Sequence, residues 1–194
     1  ERRTILVTGG TGALGAELVS RLARGSHASV VVLTRGAARS RPALPPTVEM
    51  LTGDLHCGPT FGLHPSDAAT LRERVTDVVH CAADTTFNRP LAEARATNVA
   101  GTQAVLAFAK ECPHLERMAC FSTVYVAGRT TGCFAEQDVG GADGFVNSYE
   151  QSKAEMEAVV RDAMRELPIA MYRLSTIIGN SRTGEVTGLN AIHH

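Results

Sequence analysis

The sequence predicts an α/β fold, in which a doubly wound parallel sheet carries helices on both faces to give three αβα layers. Runs of β-branched and aliphatic residues alternate with segments of helical periodicity along the chain, which is the pattern of a parallel sheet. A glycine-rich turn joins the first predicted strand to the first predicted helix. The 194 residues, 44% hydrophobic and 20% charged, suit one domain with a substantial core, and we expect residues 1–194 to form it.

The first strand, turn and helix together predict a phosphate-binding site. Thr4–Thr8 is a short β-branched and aliphatic run, glycines follow at Gly9, Gly12 and Gly15, and helical spacing begins at Leu14. The N–H groups at a helix start have no partner within the helix, and the helix dipole favours an anion there. Glycines let a pyrophosphate approach the backbone closely. The alternative is a glycine-rich turn that binds nothing.

The second predicted strand ends at a basic residue. Ser29–Thr34 reads as a buried strand and Arg35 follows it. Dinucleotide-binding folds often place an acid here to bond the ribose hydroxyls of NAD. An arginine would instead meet a 2′-phosphate, which favours NADP(H) over NAD(H). The alternative is a solvated arginine.

Two more strands and a helix are predicted before the middle of the chain. Residues 48–51 and 77–83 have strand composition, and Ser66 could cap a helix that runs through Val75. The small residues at 82 and 83 would let the backbone approach a ligand, although simple core packing explains them equally well.

A long helical pattern spans residues 91–112 and contains two residues that disfavour helix, Asn98 and Gly101. A mid-helix glycine costs about 1 kcal/mol relative to alanine. We therefore expect a packing or functional reason for this interruption. Pro113 ends the helix.

The second half of the chain predicts the edge of an active site. Residues 116–121 form the fifth predicted strand, with Ser122 and Thr123 at its carboxyl end, and residues 169–174 form the sixth. Residues 124–148 have no clear period. Because loops of that length are often functional, we expect this one to border the active site.

A tyrosine and a lysine lie four positions apart at the start of a predicted helix over residues 149–166. Tyr149 and Lys153 would point to the same face, and the lysine cation would lower the pKa of the phenol. Such a phenol could give or take the proton that carbonyl reduction requires. Thr123 or Ser122 could polarise the same carbonyl oxygen. The alternative is a chance occurrence of this spacing.

Seven segments occur in an order that resembles the extended branch of the short-chain dehydrogenase/reductase superfamily. They are TGGTGALG at 8–15, GDL at 53–55, HCAAD at 80–84, NVAGT at 98–102, FSTVYVAG at 121–128, YEQSK at 149–153 and YRLSTIIG at 172–179. The resemblance implies a Rossmann-type fold and a catalytic group of Thr123, Tyr149 and Lys153, with Ser122 as the alternative donor. It also implies that Asp54 accepts a hydrogen bond from the adenine amino group. The alternative is that Asp54 is only a turn residue. The implied cofactor-binding positions are Gly9, Thr11, Gly12, Ala13, Leu14, Gly15, Arg35, Asp54, Leu55, Ala82, Ala83, Asn98, Tyr149, Lys153 and Leu174.

Within that superfamily, the sequence of residues 80–102 and 122–128 is similar to that of thioester reductases and fatty acyl-CoA reductase-like proteins. This resemblance implies an NADPH-dependent reduction of an acyl thioester, held on coenzyme A or a carrier protein, to an aldehyde or alcohol. Two alternatives remain open. One is an NAD(P)-dependent epimerase/dehydratase or hydroxysteroid-dehydrogenase-like enzyme, and the other is a non-catalytic NADP(H)-binding sensor or scaffold.

Composition and charge limit the kinds of partner that we expect for this chain. The formal net charge is −1, so no electrostatic case exists for nucleic acid or an anionic membrane, and no apolar run approaches the ~20 residues of a membrane span. The five cysteines are scattered without metal-ligand spacing, so we expect no metal and a reducing cytoplasm. The resemblance implies a possible homodimer. Because the chain stops soon after the sixth strand, we expect its C-terminal substrate-binding part to be missing.

Overall fold

The computed structural model describes residues 3–25, 28–36, 44–179 and 181–184. The strands are β1 (Thr4–Thr8), β2 (Ser29–Thr34), β3 (Glu49–Thr52), β4 (Asp77–His80), β5 (Arg117–Thr123) and β6 (Ile169–Leu174). The α-helices are α1 (Ala13–Gly25), α2 (Pro65–Arg74), α3 (Leu91–Arg95), α4 (Gly101–Lys110) and α5 (Ser148–Ala163). Short 3₁₀ turns occupy Leu55–Thr60 and Val124–Ala127, and a π-helical turn occupies Ala96–Ala100.

The described strands form one parallel sheet in the order β3-β2-β1-β4-β5-β6. Neighbouring strands are parallel throughout, which confirms the predicted doubly wound sheet. The strand order reverses direction between β1 and β4, and open α/β sheets bind ligands outside the carboxyl ends of the strands at such a point. We therefore expect a ligand site outside the carboxyl ends of β1 and β4.

Apolar side chains fill both faces of the sheet. On one face, Val19 of α1 packs against Val7 of β1 and Val32 of β2. On the other, Phe108 of α4 and Met156 of α5 belong to the larger core. Because helices cover both sides of β1, each of its five residues is buried, as expected for a central parallel strand. This packing fixes the glycine turn that follows β1.

Several predicted boundaries differ from the structure. Helix α2 is capped by His64 rather than by Ser66: His64 Nδ1 accepts from Ser66 N at 3.4 Å, and Pro65 occupies the first helical position. Proline is favoured there because that N–H has no helical partner. Strand β4 ends at His80, which pairs with Thr8, the last residue of β1. The predicted extension of this strand to residue 83 is wrong.

The long helix predicted over 91–112 is divided into α3 and α4 by the π turn at Ala96–Ala100. Helix α5 begins at Ser148 because Asn147 caps it: Asn147 Oδ1 accepts from Glu150 N at 2.9 Å, and Glu150 Oε1 accepts from Asn147 Nδ2 at 3.1 Å. This is a reciprocal cap of the capping-box kind. It ends the loop and sets the orientation of the first turn of α5.

The loop before α5 is tied to the last strand. Arg173 of β6 donates to the carbonyl oxygens of Ala135 at 3.1 Å and Asp138 at 2.6 Å, and pairs with Glu157 of α5 at 2.7 Å. The two ends of the loop join Thr123 and Ser148, on either side of the predicted catalytic group. Across the described part of the chain, helices are too short or too polar to cross a membrane.

Candidate functional site

The shape of the glycine turn allows a ligand to approach its backbone closely. Gly9 has φ +70°, and a Cβ on it would lie 2.5 Å from Ala82 N. A Cβ on Gly15 would fall on the Gly9 carbonyl oxygen, whereas one on Gly12 would have only that oxygen nearby, at 3.4 Å. Glycine is therefore required at two positions by the fold, and at Gly12 the space lies open above the turn.

The start of α1 lies next to this turn and supplies donors. Ala13, Leu14 and Gly15 form its first turn, where N–H groups have no partner within the helix. Gly12 N donates to Gly9 O at 3.0 Å and closes the turn. These residues fit a pyrophosphate, since open backbone and unpaired donors at a helix start are what such an anion needs.

A cleft of about 510 Å³ extends from the glycine turn across the carboxyl ends of β1, β2 and β4. Its lining residues are Thr8, Gly9, Thr11, Gly12, Leu33, Thr34, Arg35, Gly36, Gly53, Asp54, Leu55, His56, Cys81, Ala82, Ala83 and Thr97. Eight of the positions predicted to bind the cofactor therefore lie together, while Ala13, Leu14 and Gly15 lie at the adjoining helix start. The volume is in the range of small-molecule and cofactor sites.

The far end of the cleft is where the sequence placed the adenosine. Arg35 lines the cleft and is exposed. Asp54 accepts from His56 N at 3.0 Å, and the His56 ring lies 3.3 Å from Thr97 Oγ1, measured from Nε2. His56 and Thr97 were not among the predicted site residues. Only the fold shows them, because the 3₁₀ turn after Asp54 brings His56 across to the π turn.

Asn98 lies beneath the site rather than on the surface of the cleft. Its side chain is 1% exposed, its Oδ1 accepts from Asp84 N at 2.8 Å, and its Nδ2 donates to Asp84 O and Ser152 Oγ, both at 2.9 Å. Ser152 Oγ in turn donates to Tyr149 O at 3.0 Å. Asn98 therefore joins the loop after β4 to the first turns of α5.

A second buried network is centred on His80, which the sequence analysis did not select. Its Nδ1 lies 2.7 Å from Thr8 Oγ1 and its Nε2 lies 2.9 Å from Thr102 Oγ1. Because Thr102 donates its hydroxyl hydrogen to Asn98 O at 2.7 Å, it accepts from the imidazole, and Nε2 carries the proton. Burial, with a further contribution from Lys153, lowers the pKa of His80 to about 3.

The structure brings Thr123 and Tyr149 together. The Thr123 hydroxyl lies close enough to the phenol to lower the pKa of Tyr149, and Thr123 is the last residue of β5, level with Leu174 of β6. Ser122 faces the other way, as successive strand residues do, and its buried Oγ has no hydrogen-bond partner among the described residues. Thr123 is thus the hydroxyl beside the phenol.

Lys153 lies one turn along α5 and is 4% exposed. Its Nζ donates to Phe121 O at 2.8 Å, and burial lowers its pKa to about 8. The expectation that this lysine lowers the pKa of the phenol is wrong. Burial raises the pKa of Tyr149, and the hydrogen bond with Thr123 offsets only part of that effect, because removing a phenolate from water outweighs one neutral donor.

The sheet order, the glycine turn and the cleft at the switch point define a class of protein, those with the NAD(P)-binding fold of the extended short-chain dehydrogenase/reductase type. A family model described as male sterility protein matches residues 7–194. The chain belongs to this family.

Similar proteins include a reductase and the R domain of a biosynthetic pathway. "Glycine betaine reductase ATRR" of Emericella nidulans is 29% identical over 209 residues, which cover 95% of this chain and 16% of that protein. The terminal R domain from the myxalamid PKS-NRPS biosynthetic pathway superposes with a TM-score of 0.83 at 31% identity, covering 96% of this chain and 52% of that one.

A third similar structure is UDP-glucuronic acid 4-epimerase from Bacillus cereus in complex with NAD, with a TM-score of 0.72 at 22% identity, covering 91% of this chain and 57% of that one. At that identity the likeness shows the fold alone. This chain spans about half the length of the two solved chains.

Proposed function

We propose that the chain carries the cofactor site and catalytic group of an NADPH-dependent reductase of acyl thioesters. One observation carries the proposal: the Thr123 hydroxyl lies close enough to the phenol of Tyr149 to lower the pKa of that phenol, at the same carboxyl edge of the sheet as the glycine turn and its cleft. A proton donor and a polarising hydroxyl at this edge would suit the chemistry of a dinucleotide bound in the cleft.

Bound NADPH supplies the hydride for this reaction. Tyr149 gives its proton to the substrate oxygen as negative charge develops there, and the Thr123 hydroxyl bonds the same oxygen. Breaking the carbon–sulfur bond then releases a thiol and an aldehyde, so that each turnover consumes one proton. The raised pKa of Tyr149 suits this direction, because the phenol must be protonated before the reaction.

The preference for NADPH rests on Arg35. It follows β2 at the end of the cleft, where an acid would favour the ribose hydroxyls of NAD. A guanidinium binds a phosphate with charge-assisted hydrogen bonds. Lys153, whose Nζ is held at the Phe121 carbonyl, would bond the ribose of the nicotinamide half.

The thioester substrate and its carrier rest on the similar proteins. The R domain at 31% identity belongs to a PKS-NRPS pathway, and the Emericella nidulans relative is named a reductase. A substrate tethered to coenzyme A or to a carrier protein is consistent with both. The epimerase does not bear on the choice of substrate, because its similarity to this chain is limited to the fold.

The experiment compares Tyr149→Phe with the unchanged chain, using an acyl-CoA thioester and NADPH and measuring both NADPH oxidation and aldehyde. Loss of the proton donor should lower turnover by roughly 10²- to 10⁴-fold. The dissociation constant for NADPH, measured by calorimetry, should hardly change, because the phenol does not hold the phosphates.

Tyr172→Phe is the matched control, because that hydroxyl belongs to an exposed tyrosine on β6 and its loss should leave turnover unchanged. A Tyr149→Phe protein that reduces the thioester at the unchanged rate would contradict the proposed mechanism.

A further inference from the structure

Two exposed rings lie beside Tyr149. Phe87 is 46% exposed and Tyr125 is 41% exposed. The Phe87 ring centroid lies 5.6 Å from that of Tyr149 and 6.2 Å from that of Tyr125. We call Phe87 and Tyr125 the aromatic ledge. It is continuous with the candidate catalytic group, because Phe87 touches Tyr149 on one side and Tyr125 on the other.

The loop that carries Phe87 is held at both ends. At its start, the Asp84 backbone donates one hydrogen bond to Asn98 and accepts one from it, and the Asp84 carboxylate pairs with Arg89. At its end, Ser148 Oγ lies 2.6 Å from Arg89 O and 3.2 Å from Phe87 O. An exposed phenylalanine is therefore fixed against the first turn of α5.

Tyr125 is held separately. It follows Thr123 in the 3₁₀ turn, its N–H donates to Thr123 Oγ1 at 3.2 Å, and its hydroxyl lies 3.1 Å from Thr176 Oγ1. Because both rings are already positioned, a ligand that covers them loses little affinity to ordering them.

We propose that the aromatic ledge binds the acyl chain of the thioester next to its carbonyl carbon and gives the site a preference for longer apolar acyl groups. This inference rests on the proposed function of the same site. Methylene groups gain by leaving water against an apolar ring. The pantetheine arm is rich in amides, which lose hydrogen bonds to water when they lie on ring faces, so the acyl side is the part that fits the ledge.

The test uses ethyl, butyl, hexyl and octyl thioethers of coenzyme A, which cannot be reduced, and measures their dissociation constants by calorimetry with NADP⁺ present. Affinity should rise about twofold for each added methylene, against roughly fourfold for complete burial, because the ledge covers one side of the chain. Phe87→Ala should flatten this dependence, and Phe87→Leu should restore part of it.

Tyr172→Ala is the matched control. Tyr172 is 48% exposed but its ring stacks on Phe121 at 5.5 Å, outside the ledge, so the chain-length dependence should persist in that variant. The affinity for NADP⁺ should be the same in all four proteins.

Several results would overturn the inference. The first is that the affinity of the unchanged chain for the thioethers does not depend on alkyl length. The second is that Phe87→Ala keeps the full dependence on alkyl length. The third is that Phe87→Ala loses as much affinity for NADP⁺ as it loses for the thioethers. Kinetics with the matching acyl-CoA thioesters separate the two proposals. Chain-length dependence without reduction would contradict the proposed function and leave the ledge as a binding site, whereas reduction without chain-length dependence would contradict the ledge alone.

Discussion

At the scale of single residues, two neighbours in β5 have opposite surroundings. Thr123 lies beside the phenol of Tyr149 and lowers its pKa, and Ser122 is buried on the other face without a partner among the described residues. The sequence predicts that one hydroxyl lies near the phenol, but it cannot select which. The selection depends on which face of the strand α5 covers, and a local sequence pattern does not contain that information.

The sequence also could not predict how the surroundings of Lys153 and Tyr149 set the pKa of the phenol. The four-residue spacing predicts that the two side chains share a helix face, which the helix bounds allow. It does not predict that Lys153 Nζ bonds the Phe121 carbonyl or that burial raises the pKa of Tyr149. Burial depends on the whole packing of α5 against the sheet.

Arg35 gives a prediction about cofactor choice. Arg35→Ala should weaken NADPH binding roughly 10- to 100-fold, because a charge-assisted hydrogen bond contributes about 1.5–3 kcal/mol, and should leave NADH binding nearly unchanged. Calorimetric titration with both dinucleotides measures this. Equal losses for NADPH and NADH would remove Arg35 from contact with the 2′-phosphate.

At the scale of elements, the π turn at Ala96–Ala100 explains an irregularity that the sequence predicts only in outline. Asn98 and Gly101 disfavour helix, and the interruption occurs there. A π turn contains an extra residue in the helical ladder and is frequent at functional sites. Here it places the Asn98 side chain under the loop after β4. The three hydrogen-bond partners of Asn98 could not be predicted, since they come from distant segments.

Asn98→Ala should lower the free energy of unfolding by about 3 kcal/mol, because it leaves the half-buried backbone N–H and carbonyl of Asp84 without their partner. It should also lower turnover, because the Phe87 loop and the first turn of α5 lose their common tie. Denaturant unfolding and steady-state kinetics measure the two effects.

Asn88→Ala is the control for this change. Asn88 is exposed in the same loop, so its replacement should alter the free energy of unfolding by no more than about 0.5 kcal/mol. If Asn98→Ala lowers the free energy of unfolding no more than Asn88→Ala does, the hydrogen bonds of the Asn98 side chain do not stabilise the fold.

At the scale of the whole molecule, the sequence predicts the sheet well and its connections poorly. Alternating strand and helix patterns predict a doubly wound parallel sheet, and the order β3-β2-β1-β4-β5-β6 confirms it. Caps and short turns depend on tertiary contacts, as when His64 rather than Ser66 caps α2. The homodimer and the cytoplasmic location remain predictions.

The network of Thr8, His80 and Thr102 joins β1, β4 and α4, and it gives a prediction about acid stability. Burial lowers the pKa of His80 from 6.5 to about 3, so between these values the unfolded chain binds a proton that the folded chain does not. Stability is therefore lost as the pH falls through this window, by at most about 1.4 kcal/mol per pH unit.

His80→Gln removes that titration. The difference in free energy of unfolding between the unchanged chain and His80→Gln should shrink as the pH falls below 6.5. Urea unfolding at a series of pH values measures it. A difference that stays constant from neutral pH to acid would show that His80 is not buried in its neutral form.

Isotope labelling shows whether the hydrogen of NADPH reaches the carbonyl carbon of the substrate. The chain is mixed with an acyl-CoA thioester and with NADPH that carries deuterium at the transferred position of the nicotinamide, each ring face being labelled in turn. We expect an aldehyde with deuterium on its carbonyl carbon, or an alcohol with deuterium on the same carbon, for one of the two labels, and neither from Tyr149→Phe. A product without deuterium from either label, or neither product while calorimetry shows NADPH bound, would contradict the proposed hydride transfer.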